Sequence, residues 1–557
     1  MFERHLKVWP AGLPRRLSVP ERTIAANLEA TARRFGERTA TIFHGRTTTY
    51  AALNEQVERL AGYLQKRAGV ARGDRVLLFM QNSPQFIVAY YAILRADAVV
   101  VPVSPMNRAG ELEHLVADTG ARVAFAGQEL LEALAGQLRA GALTTVVAAA
   151  YADAADPGFD LPLPAPLDRP SPPDYGMPGV VRWAEALASG ERADPPRAGP
   201  DDLAVIPYSS GTTGRPRGCM HTHRTVMTTI VGGIAWNPMS EQDVSLVALP
   251  LFHVTGMQNS MNAPIHVGGS LVVMVRWDRR VAAELIRRHR VTRWRSISTM
   301  AIDLVTDPDA GRYDLSSLRA IGGGGAAMPA GIADRLKALT GCEYVEGYGL
   351  SETMAATHTN PIARPRRQCL GVPLFEVDSR ILEIGTDRQL GPDQPGELVI
   401  DAPQVFKGYW NDPEGTRAAF LELEGRPFFR TGDIAYYDEE GYFYLVDRLK
   451  RMINCAGLKV WPAEVETLMH RHPAIAEVCV VAAPDERRGE SVKAYVALRA
   501  EMRGQVGEAE ILAWCRGEMA AYKCPRTVAF LDALPRSPTG KLQWKELQDR
   551  ERRGDAP

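Results

Sequence analysis

The sequence has no membrane-length hydrophobic run, almost no net charge and no closely paired cysteines. No apolar stretch approaches the roughly 18 residues that a transmembrane helix needs, and the N-terminus has no apolar signal core. The net charge is −1, so nothing indicates binding to nucleic acid or to an anionic membrane. The seven cysteines include no C-x-x-C pair, which argues against a zinc site and favours reduced thiols in the cytoplasm.

The length and the order of predicted elements indicate a multidomain α/β protein. With 557 residues the chain exceeds one compact core, and two to four domains are expected. Predicted strands and helices alternate as far as about residue 400, a pattern that favours largely parallel sheets. The predicted strands are Arg75–Phe79, Ala98–Pro102, Leu203–Pro207, Val244–Leu249, Ser270–Val275 and Leu318–Ile321, and the predicted helices are Pro84–Arg95 and Val281–His289. Asp153–Pro200 is rich in Pro, Ala and Asp, which predicts an irregular surface excursion ordered only in part.

A composition boundary near Lys450 predicts a small C-terminal α+β domain. After it, helices are predicted at Pro462–Met469 and Glu508–Ala520, and strands at Ile475–Ala483 and Val492–Leu498. About 100 residues suffice for an independent domain. We therefore predict a large N-terminal α/β domain over residues 1–449 and a small domain over residues 450–557.

The segment Tyr208–Gly218 has the chemistry of a polyphosphate-binding loop. It contains three glycines, four Ser or Thr hydroxyls and two arginines, directly after a predicted buried strand. Glycine lets backbone N–H groups approach phosphate oxygens, hydroxyls add donors, and guanidinium groups match phosphate geometry. The G-x-x-x-x-G-K-[ST] spacing of the P-loop is absent. A flexible surface turn is the alternative for such a composition.

This segment resembles the phosphate loop of the adenylate-forming superfamily, which includes acyl-CoA synthetases, luciferases and adenylation domains of peptide synthetases. The family usually has Lys at the position of Arg217, and the exchange keeps the charge although the two side chains are not equivalent. The resemblance implies nucleotide contacts from Ser209, Ser210, Gly211, Thr212, Thr213, Gly214 and Arg217.

A second segment, Glu346–Thr353, resembles the family motif Y-G-x-[TS]-E. By resemblance, Tyr348 lies against the adenine, Ser351 contacts a phosphate and Glu352 holds Mg²⁺, with Gly347 and Gly349 beside the nucleotide. One carboxylate is chemically sufficient, because Mg²⁺ also takes phosphate oxygens and waters. The glycine run Ile321–Pro329 resembles the family segment that lines adenine and acyl group, and it contributes Gly324, Gly325 and Ala326.

Further family motifs follow in the expected order. Phe429–Asp433 resembles the ribose clamp, with Asp433 accepting from both hydroxyls and Arg448 adding a donor. Leu249–Gly256 resembles the segment in which a His, here His253, gates the carboxylate pocket. A satisfied core histidine is the structural alternative for His253. Near the C-terminus, Leu534–Lys541 resembles the last motif, in which Lys541 binds the attacking carboxylate and the α-phosphate.

The resemblance implies an ATP-dependent acyl-CoA synthetase that uses Mg²⁺ and coenzyme A. Rotation about Lys450 is implied to exchange Lys541 for Gly457, which lies beside the pantetheine tunnel in the thioester-forming state. A carrier-protein-loading ligase and a non-catalytic nucleotide-binding protein remain alternatives. A luciferase-type oxygenase is a third alternative, and it is disfavoured because luciferases have Lys at the position of Asn454. The expected partners are small molecules, without nucleic acid or an integral membrane segment, in the cytoplasm. Family members are often homodimers, but the sequence does not decide the oligomeric state.

The substrate acid is less sharply predicted. Acetate-specific relatives close the pocket with Trp where this chain has Gly347, so room for more than two carbons is expected. Other predicted pocket residues are Thr229, Gly232, Gly233, Met257 and Thr299. A medium- or long-chain fatty acid is the first choice, and a short branched, hydroxy or aromatic acid is the alternative, since one methylene changes selectivity by only about 1–3 kcal/mol.

Overall fold

The computed structural model describes residues 2–209, 216–455, 458–485, 489–536 and 542–553. The chain divides into two compact units. The first unit consists of His5–Asp378 and Asp401–Leu421, and the second of Phe2–Arg4, Ser379–Ile400 and the residues from Glu422 onward. The predicted α/β class is confirmed, with parallel sheets in the first unit. The predicted domains 1–449 and 450–557, with a hinge at Lys450, stay a prediction.

The first unit is built on two mainly parallel sheets. Its strands are β1 (Thr39–Phe43), β2 (Arg46–Thr49), β3 (Arg75–Phe79), β4 (Val99–Val103), β5 (Val123–Gly127), β6 (Thr145–Ala149), β7 (Val180–Arg182), β8 (Leu203–Val205), β9 (Tyr208–Ser209), β10 (Arg217–Gly218), β11 (His221–Thr222), β12 (Val244–Val247), β13 (Ser270–Val273), β14 (Arg293–Ser296), β15 (Ala320–Gly324), β16 (Tyr344–Leu350), β17 (Ala355–Thr359) and β18 (Val372–Pro373). One sheet has the order β11-β8-β4-β3-β5-β6-β7, and the other has the order β18-β17-β16-β15-β14-β12-β13-β1-β2. Strands β9 and β10 form a separate antiparallel pair.

Helices cover the faces of these sheets. They are α1 (Ile24–Phe35), α2 (Tyr50–Lys66), α3 (Pro84–Arg95), α4 (Ala109–Thr119), α5 (Leu131–Arg139), α6 (Trp183–Ala188), α7 (His223–Trp236), α8 (Val254–Gly256), α9 (Ala263–Val267), α10 (Arg279–His289), α11 (Ser298–Thr306), α12 (Ala330–Thr340) and α13 (Pro413–Ala419). A π-helical segment, Met257–Asn262, joins α8 to α9. Crossover helices between parallel strands are what the alternating sequence pattern predicts.

Local chemistry explains why the predicted elements form. Helix α3 begins at Pro84 because the Ser83 hydroxyl accepts from the Phe86 N–H at 3.1 Å and proline suits the first helical turn. Its residues up to Leu94 are buried on all sides, and the following strand β4 is buried throughout, as expected for a parallel sheet covered on both faces. Helix α10 begins two residues before the predicted start, because the Asp278 carboxylate caps it.

Two predictions about the first unit are corrected. The glycine run does not follow the strand predicted at Leu318–Ile321, because Gly322, Gly323 and Gly324 lie inside β15 itself. Backbone pairing with β14 and β16 holds this run extended. Asp153–Pro200 is mostly irregular, as predicted, but it also contains β7 and α6, which the prediction lacked. Strand β7 is only three residues long within a segment rich in Pro, Ala and Asp, and it adds a parallel edge strand beside β6.

The second unit contains two further sheets. Its strands are β19 (Asp378–Leu382), β20 (Gly396–Asp401), β21 (Phe420–Leu423), β22 (Arg426–Tyr437), β23 (Phe443–Arg448), β24 (Ile453–Cys455), β25 (Leu458–Val460), β26 (Ile475–Asp485), β27 (Gly489–Leu498) and β28 (Thr527–Phe530). The helices are α14 (Pro462–Met469), α15 (Glu508–Glu518) and α16 (Trp544–Arg553). One sheet has the order β19-β20-β22-β21 with β23 on β22, and the other has the order β25-β24-β27-β26 with β28 on β27. The predicted mixture of strands and helices after Lys450 is confirmed.

Among the described residues, no helix has both the length and the apolar character that crossing a membrane requires.

Candidate active site

Strands β9 and β10 flank the predicted phosphate loop and pair with each other at its base. Ser209 pairs with Arg217, and Tyr208 pairs with Gly218. A Cβ at position 218 would lie 2.6 Å from Ile206 Cγ2, so this close approach requires glycine. The predicted contacts Ser210, Gly211, Thr212, Thr213 and Gly214 lie outside the described residues. The structure therefore describes the two ends of the loop.

Arg217 is held at the base of the loop by Tyr409. Its guanidinium carbon lies 3.8 Å from the centroid of the Tyr409 ring, and Nη1 lies 3.6 Å from Asp412 Oδ2. A cation over a tyrosine ring at this distance is attracted by the ring quadrupole. The planar guanidinium of Arg217 makes this stacked contact more naturally than the usual Lys would.

The same tyrosine connects Arg217 to the predicted metal ligand. The Tyr409 hydroxyl donates to Glu352 Oε1 at 3.0 Å, and the Phe406 N–H donates to the Glu352 carbonyl at 2.8 Å. Burial raises the pKa of Tyr409 above its usual range, so the phenol stays a donor at neutral pH. Arg217 and Glu352 are thus positioned around one ring, although Tyr409 was not among the predicted site residues.

Ser351 and Glu352 belong to a single 3-10 turn, Ser351–Thr353, directly after β16. The Ser351 carbonyl accepts from Nε2 of the buried His221 at 2.7 Å. Burial lowers the pKa of His221 to about 4, so the ring is neutral at physiological pH and donates through this nitrogen. His221 therefore fixes the turn without adding charge beside the carboxylate.

Glycines of two adjacent strands lie side by side next to Tyr348. Gly324 of β15 is in register with Gly347 of β16. Tyr348 is buried, and its ring meets His358 edge-on with the centroids 5.7 Å apart. Gly349 has to be glycine, because a Cβ there would overlap the Ala355 carbonyl oxygen. The predicted adenine-binding residues Gly324, Gly347, Tyr348 and Gly349 are therefore brought together.

The remaining predicted residues of the glycine run follow β15 in a fixed turn. Gly325 adopts a φ of 87°, which glycine tolerates without strain. The Ala326 carbonyl accepts from the Ser298 hydroxyl at 3.2 Å. Ser298 stands at the start of α11, so that helix anchors the turn.

His253 caps the short helix α8. Its Nδ1 accepts from the Thr255 N–H at 3.3 Å, which requires that nitrogen to be unprotonated. The preceding segment is held by Asn82, whose side chain donates to the Leu249 carbonyl at 3.0 Å and accepts from the Leu251 N–H at 2.8 Å. The structure thus gives His253 a defined local role in capping, and the carboxylate-gating role stays a prediction.

In the second unit, Asp433 and Arg448 form an ion pair across neighbouring strands. They are in register on β22 and β23, and Arg448 Nε lies 2.7 Å from Asp433 Oδ1. The Asp433 side chain is completely buried, whereas that of Arg448 is 40% exposed. Gly432 has a φ of 69°, so glycine is suited to the irregular pairing of β22 just before the aspartate. The pair that was predicted to hold the ribose is therefore preassembled.

The other predicted residues of the second unit are only partly described. Lys450 lies in a 3-10 turn, Leu449–Arg451, between β23 and β24. Gly457 and Lys541 lie outside the described residues. Their roles therefore stay predictions.

The described residues suit a magnesium–nucleotide complex better than a metal held by protein alone. Within the described ranges there is no group of three or more His, Cys, Asp or Glu that could hold a metal ion. Glu352 offers one carboxylate, and Mg²⁺ commonly takes one or two carboxylates together with phosphate oxygens and waters. The oriented Glu352 carboxylate next to the loop base fits that requirement.

Sequence comparisons match two family models and many relatives to this chain. A family model described as AMP-binding enzyme matches residues 28–410, and a model described as AMP-binding enzyme C-terminal domain matches residues 464–541. The long-chain-fatty-acid–CoA ligase of Bacillus subtilis is 31% identical over 553 residues, covering 98% of both chains. A feruloyl-CoA synthase of Amycolatopsis is 33% identical, covering 93% of this chain and 97% of its own.

Solved structures give the same result for the fold. ATP-bound MatB from Rhodopseudomonas palustris has a TM-score of 0.81 and 27% identity, covering 94% of this chain and 99% of its own. A fatty acyl CoA synthetase of Mycobacterium tuberculosis has a TM-score of 0.72 and 29% identity, covering 95% and 98% of the two chains.

Proposed function

Because the chain belongs to the family of AMP-binding enzymes, we propose that it is an ATP-dependent acid–CoA ligase. The observation that carries this proposal is the arrangement of Arg217, Tyr409 and Glu352 at the base of the Gly/Ser/Thr-rich loop. A fixed cation and an oriented carboxylate beside such a loop are the groups that a magnesium–triphosphate complex requires, which supports the proposal. The similarity to CoA ligases over almost the whole chain supports the proposal.

The reaction has two steps. In the first, a carboxylate oxygen attacks the α-phosphorus of ATP, the bond from that phosphorus to the bridging oxygen breaks, and pyrophosphate leaves. In the second, the thiolate of coenzyme A attacks the acyl carbon of the acyl-AMP, and AMP leaves with the electron pair of the broken C–O bond. The protein contributes mainly positioning and charge stabilisation, as in other phosphoryl-type transfers.

In the first unit we assign nucleotide binding to the loop and to the ends of β15 and β16. Arg217 and the loop residues Ser209, Ser210, Gly211, Thr212, Thr213 and Gly214 bind the phosphates. Tyr348 lies against the adenine together with Gly324, Gly325, Ala326, Gly347 and Gly349, and Ser351 contacts a phosphate. Glu352 would hold Mg²⁺, and the bound ion would supply positive charge next to the phosphates. His253 closes the carboxylate side of the pocket.

In the second unit we assign ribose binding to Asp433 and Arg448. A carboxylate can accept from both ribose hydroxyls, and its pairing with Arg448 keeps Asp433 oriented. Lys541 neutralises the carboxylate and the α-phosphate in the first step. Rotation of residues 450–557 about Lys450 then replaces Lys541 by Gly457 for attack by coenzyme A.

For the substrate we propose a carboxylic acid longer than acetate, with a medium- or long-chain fatty acid as the first class to test. The Bacillus subtilis relative named for long-chain fatty acids supports this choice. The relatives named for feruloyl and 4-coumarate substrates support the aromatic alternative.

The proposal is tested with full-length protein by ATP–pyrophosphate exchange over a panel of carboxylic acids, followed by thioester formation with coenzyme A. We expect exchange that depends on an acid, and a CoA thioester once coenzyme A is added. Glu352→Gln removes the charge at constant size and should abolish exchange, whereas Glu132→Gln, on an exposed position of α5, should leave it unchanged. Exchange without any thioester would instead favour carrier loading, and no exchange with any acid would refute the proposal.

A further inference from the structure

Arg295 is an enclosed guanidinium in the middle of the parallel sheet of the first unit. It lies on β14, and in the part of the chain that the structure describes no acceptor or carboxylate pairs with its side chain. Burial and the neighbouring Arg293 lower the pKa of Arg295 to about 10, yet the residue retains partial exposure. A side chain that is largely surrounded by protein but still reaches water is expected to line an internal space.

The strand register shows which face of the sheet this side chain shares. Arg295 is opposite Gly322 of β15, and Gly324, two residues further on, is opposite Gly347 of β16. Side chains alternate along a strand, so these four positions lie on one face. A Cβ at Gly322 would lie 2.9 Å from Arg295 Nη1, so the guanidinium extends over the glycine.

Three of these four positions carry no side chain, so on this face Gly324 and Gly347 leave open sheet surface beside Val345, which is opposite Gly322. Helix α7, which contributes the predicted pocket residues Gly232 and Gly233, packs against β17 of the same sheet. A Cβ added at Gly233 would have Asn259 Oδ1 as its nearest neighbour, at 4.0 Å. Bare positions on the sheet and on the helix are what a pocket for an acyl chain requires.

Arg295 differs from the neighbouring Arg293, which has a carboxylate partner. Arg293 lies on the same face, and its Nε is 3.1 Å from Asp243 Oδ1. It also donates to the Pro238 carbonyl. For Arg295 the described residues supply no such acceptor. An enclosed cation without a partner favours binding of an anion, because an ion pair offsets the loss of hydration.

We propose that Arg295 binds a second acidic group, at the end of the substrate acid remote from the reacting carboxylate. This inference rests on the proposed function. Gly347 is the position at which a Trp closes the pocket of acetate-specific relatives, so it marks the end of the pocket near the reacting carboxylate. Gly347 and Arg295 are separated by two strand spacings and by two residues along the strands, which is about 12 Å between their Cα atoms. The arginine side chain spans part of that distance, so a short- to medium-chain dicarboxylic acid fits Arg295 better than the plain fatty acid proposed above as the first class to test.

The experiment compares straight-chain monocarboxylic and dicarboxylic acids of equal length, from about four to ten carbons, in pyrophosphate exchange and thioester formation. The proteins are the wild type, Arg295→Met, Arg295→Lys, and Arg319→Met as a control on an exposed position next to β15. We expect the wild type and the control to prefer the diacid. Arg295→Met should lose roughly ten- to a hundredfold in kcat/KM for the diacid and gain on the monoacid, since a hydrogen-bonded charge pair is removed. Arg295→Lys, which keeps the charge but not the fork geometry, should be intermediate.

A second readout does not depend on catalysis. Binding of the diacid alone, measured by calorimetry, should be weakened by Arg295→Met while the melting temperature of the variant stays close to that of the wild type. If the wild type and Arg295→Met both prefer the monoacid to the diacid of equal length, the inference is wrong and the proposed function stands. If no acid supports exchange with any of these proteins, the proposed function and this inference fail together.

Discussion

Replacing Tyr409 by Phe isolates one hydrogen bond at the base of the phosphate loop. The substitution removes the hydroxyl that donates to Glu352 Oε1 at 3.0 Å and keeps the ring that lies 3.8 Å from the Arg217 guanidinium carbon. Tyr409 is 4% exposed, so water does not readily replace the lost donor. The Glu352 carboxylate then loses the side-chain contact that orients it.

The magnitude follows from the type of bond. A hydrogen bond to a charged group contributes about 1.5–3 kcal/mol, which corresponds to roughly ten- to 150-fold in kcat/KM if the bond is needed only to orient the metal ligand. Tyr409→Leu removes the ring as well, and the cation–π contact adds about 0.5–2 kcal/mol to the loss. The leucine variant should therefore be slower than the phenylalanine variant.

The assay is pyrophosphate exchange at several Mg²⁺ concentrations. Tyr409→Phe should need more Mg²⁺ for a half-maximal rate, because the Glu352 carboxylate, the proposed metal ligand, is less well oriented. Tyr495→Phe is the matched control, since the Tyr495 hydroxyl also donates to a glutamate, Glu551, and neither residue is a predicted site residue. If Tyr409→Phe exchanged within twofold of the wild type at all Mg²⁺ concentrations, the assignment of Tyr409 as a positioning residue would be refuted.

Three further predictions concern stability and the two half-reactions. Burial lowers the pKa of His223 to about 4, so between about pH 6.5 and 4 the unfolded chain binds a proton that the folded chain does not. The free energy of unfolding therefore falls by up to about 3 kcal/mol as the pH falls through that window. His223→Gln should flatten the decline in melting temperature between pH 7 and 5, and an unchanged slope would contradict this prediction. Gly323→Ala should lower the melting temperature strongly, because the added Cβ would overlap the Ser296 carbonyl oxygen. Gly136→Ala is the control: its Cβ meets open space in α5, so it should raise the melting temperature slightly. A Gly323→Ala protein as stable as the wild type would contradict the strand packing. Lys541→Ala should abolish formation of acyl-AMP yet spare thioester synthesis from supplied acyl-AMP, and equal loss of both half-reactions would refute the proposed division between Lys541 and Gly457.

Much of the fold could be predicted from local patterns. The bounds of β3, α3 and α14 agree with the predicted ones, because caps and apolar runs act within a few residues. The strand was predicted to end at Ile321, before the glycine run, and glycine has a low intrinsic strand preference. The run lies within β15 because the neighbouring backbones of β14 and β16 leave no room for side chains.

The candidate site was predictable only where a motif is continuous. Tyr348, Ser351 and Glu352 share one short segment, so their proximity follows from the chain itself. Tyr409 has no such relation to Glu352, from which it is separated by 57 residues, and it was missed. The segment Lys407–Trp410 that carries it has an aromatic pair after glycine, a weak signal without the fold.

The sequence by itself determined the family, the order of its motifs and most of the helices and strands, because these depend on residue type and on spacing along the chain. Only the tertiary structure decided that Tyr409 contacts both Arg217 and Glu352, and that Arg295 shares a sheet face with Gly322, Gly324 and Gly347. The physical reason is that strand register and the packing of distant segments set which side chains meet, and shifting a strand by one residue would turn Arg295 to the opposite face.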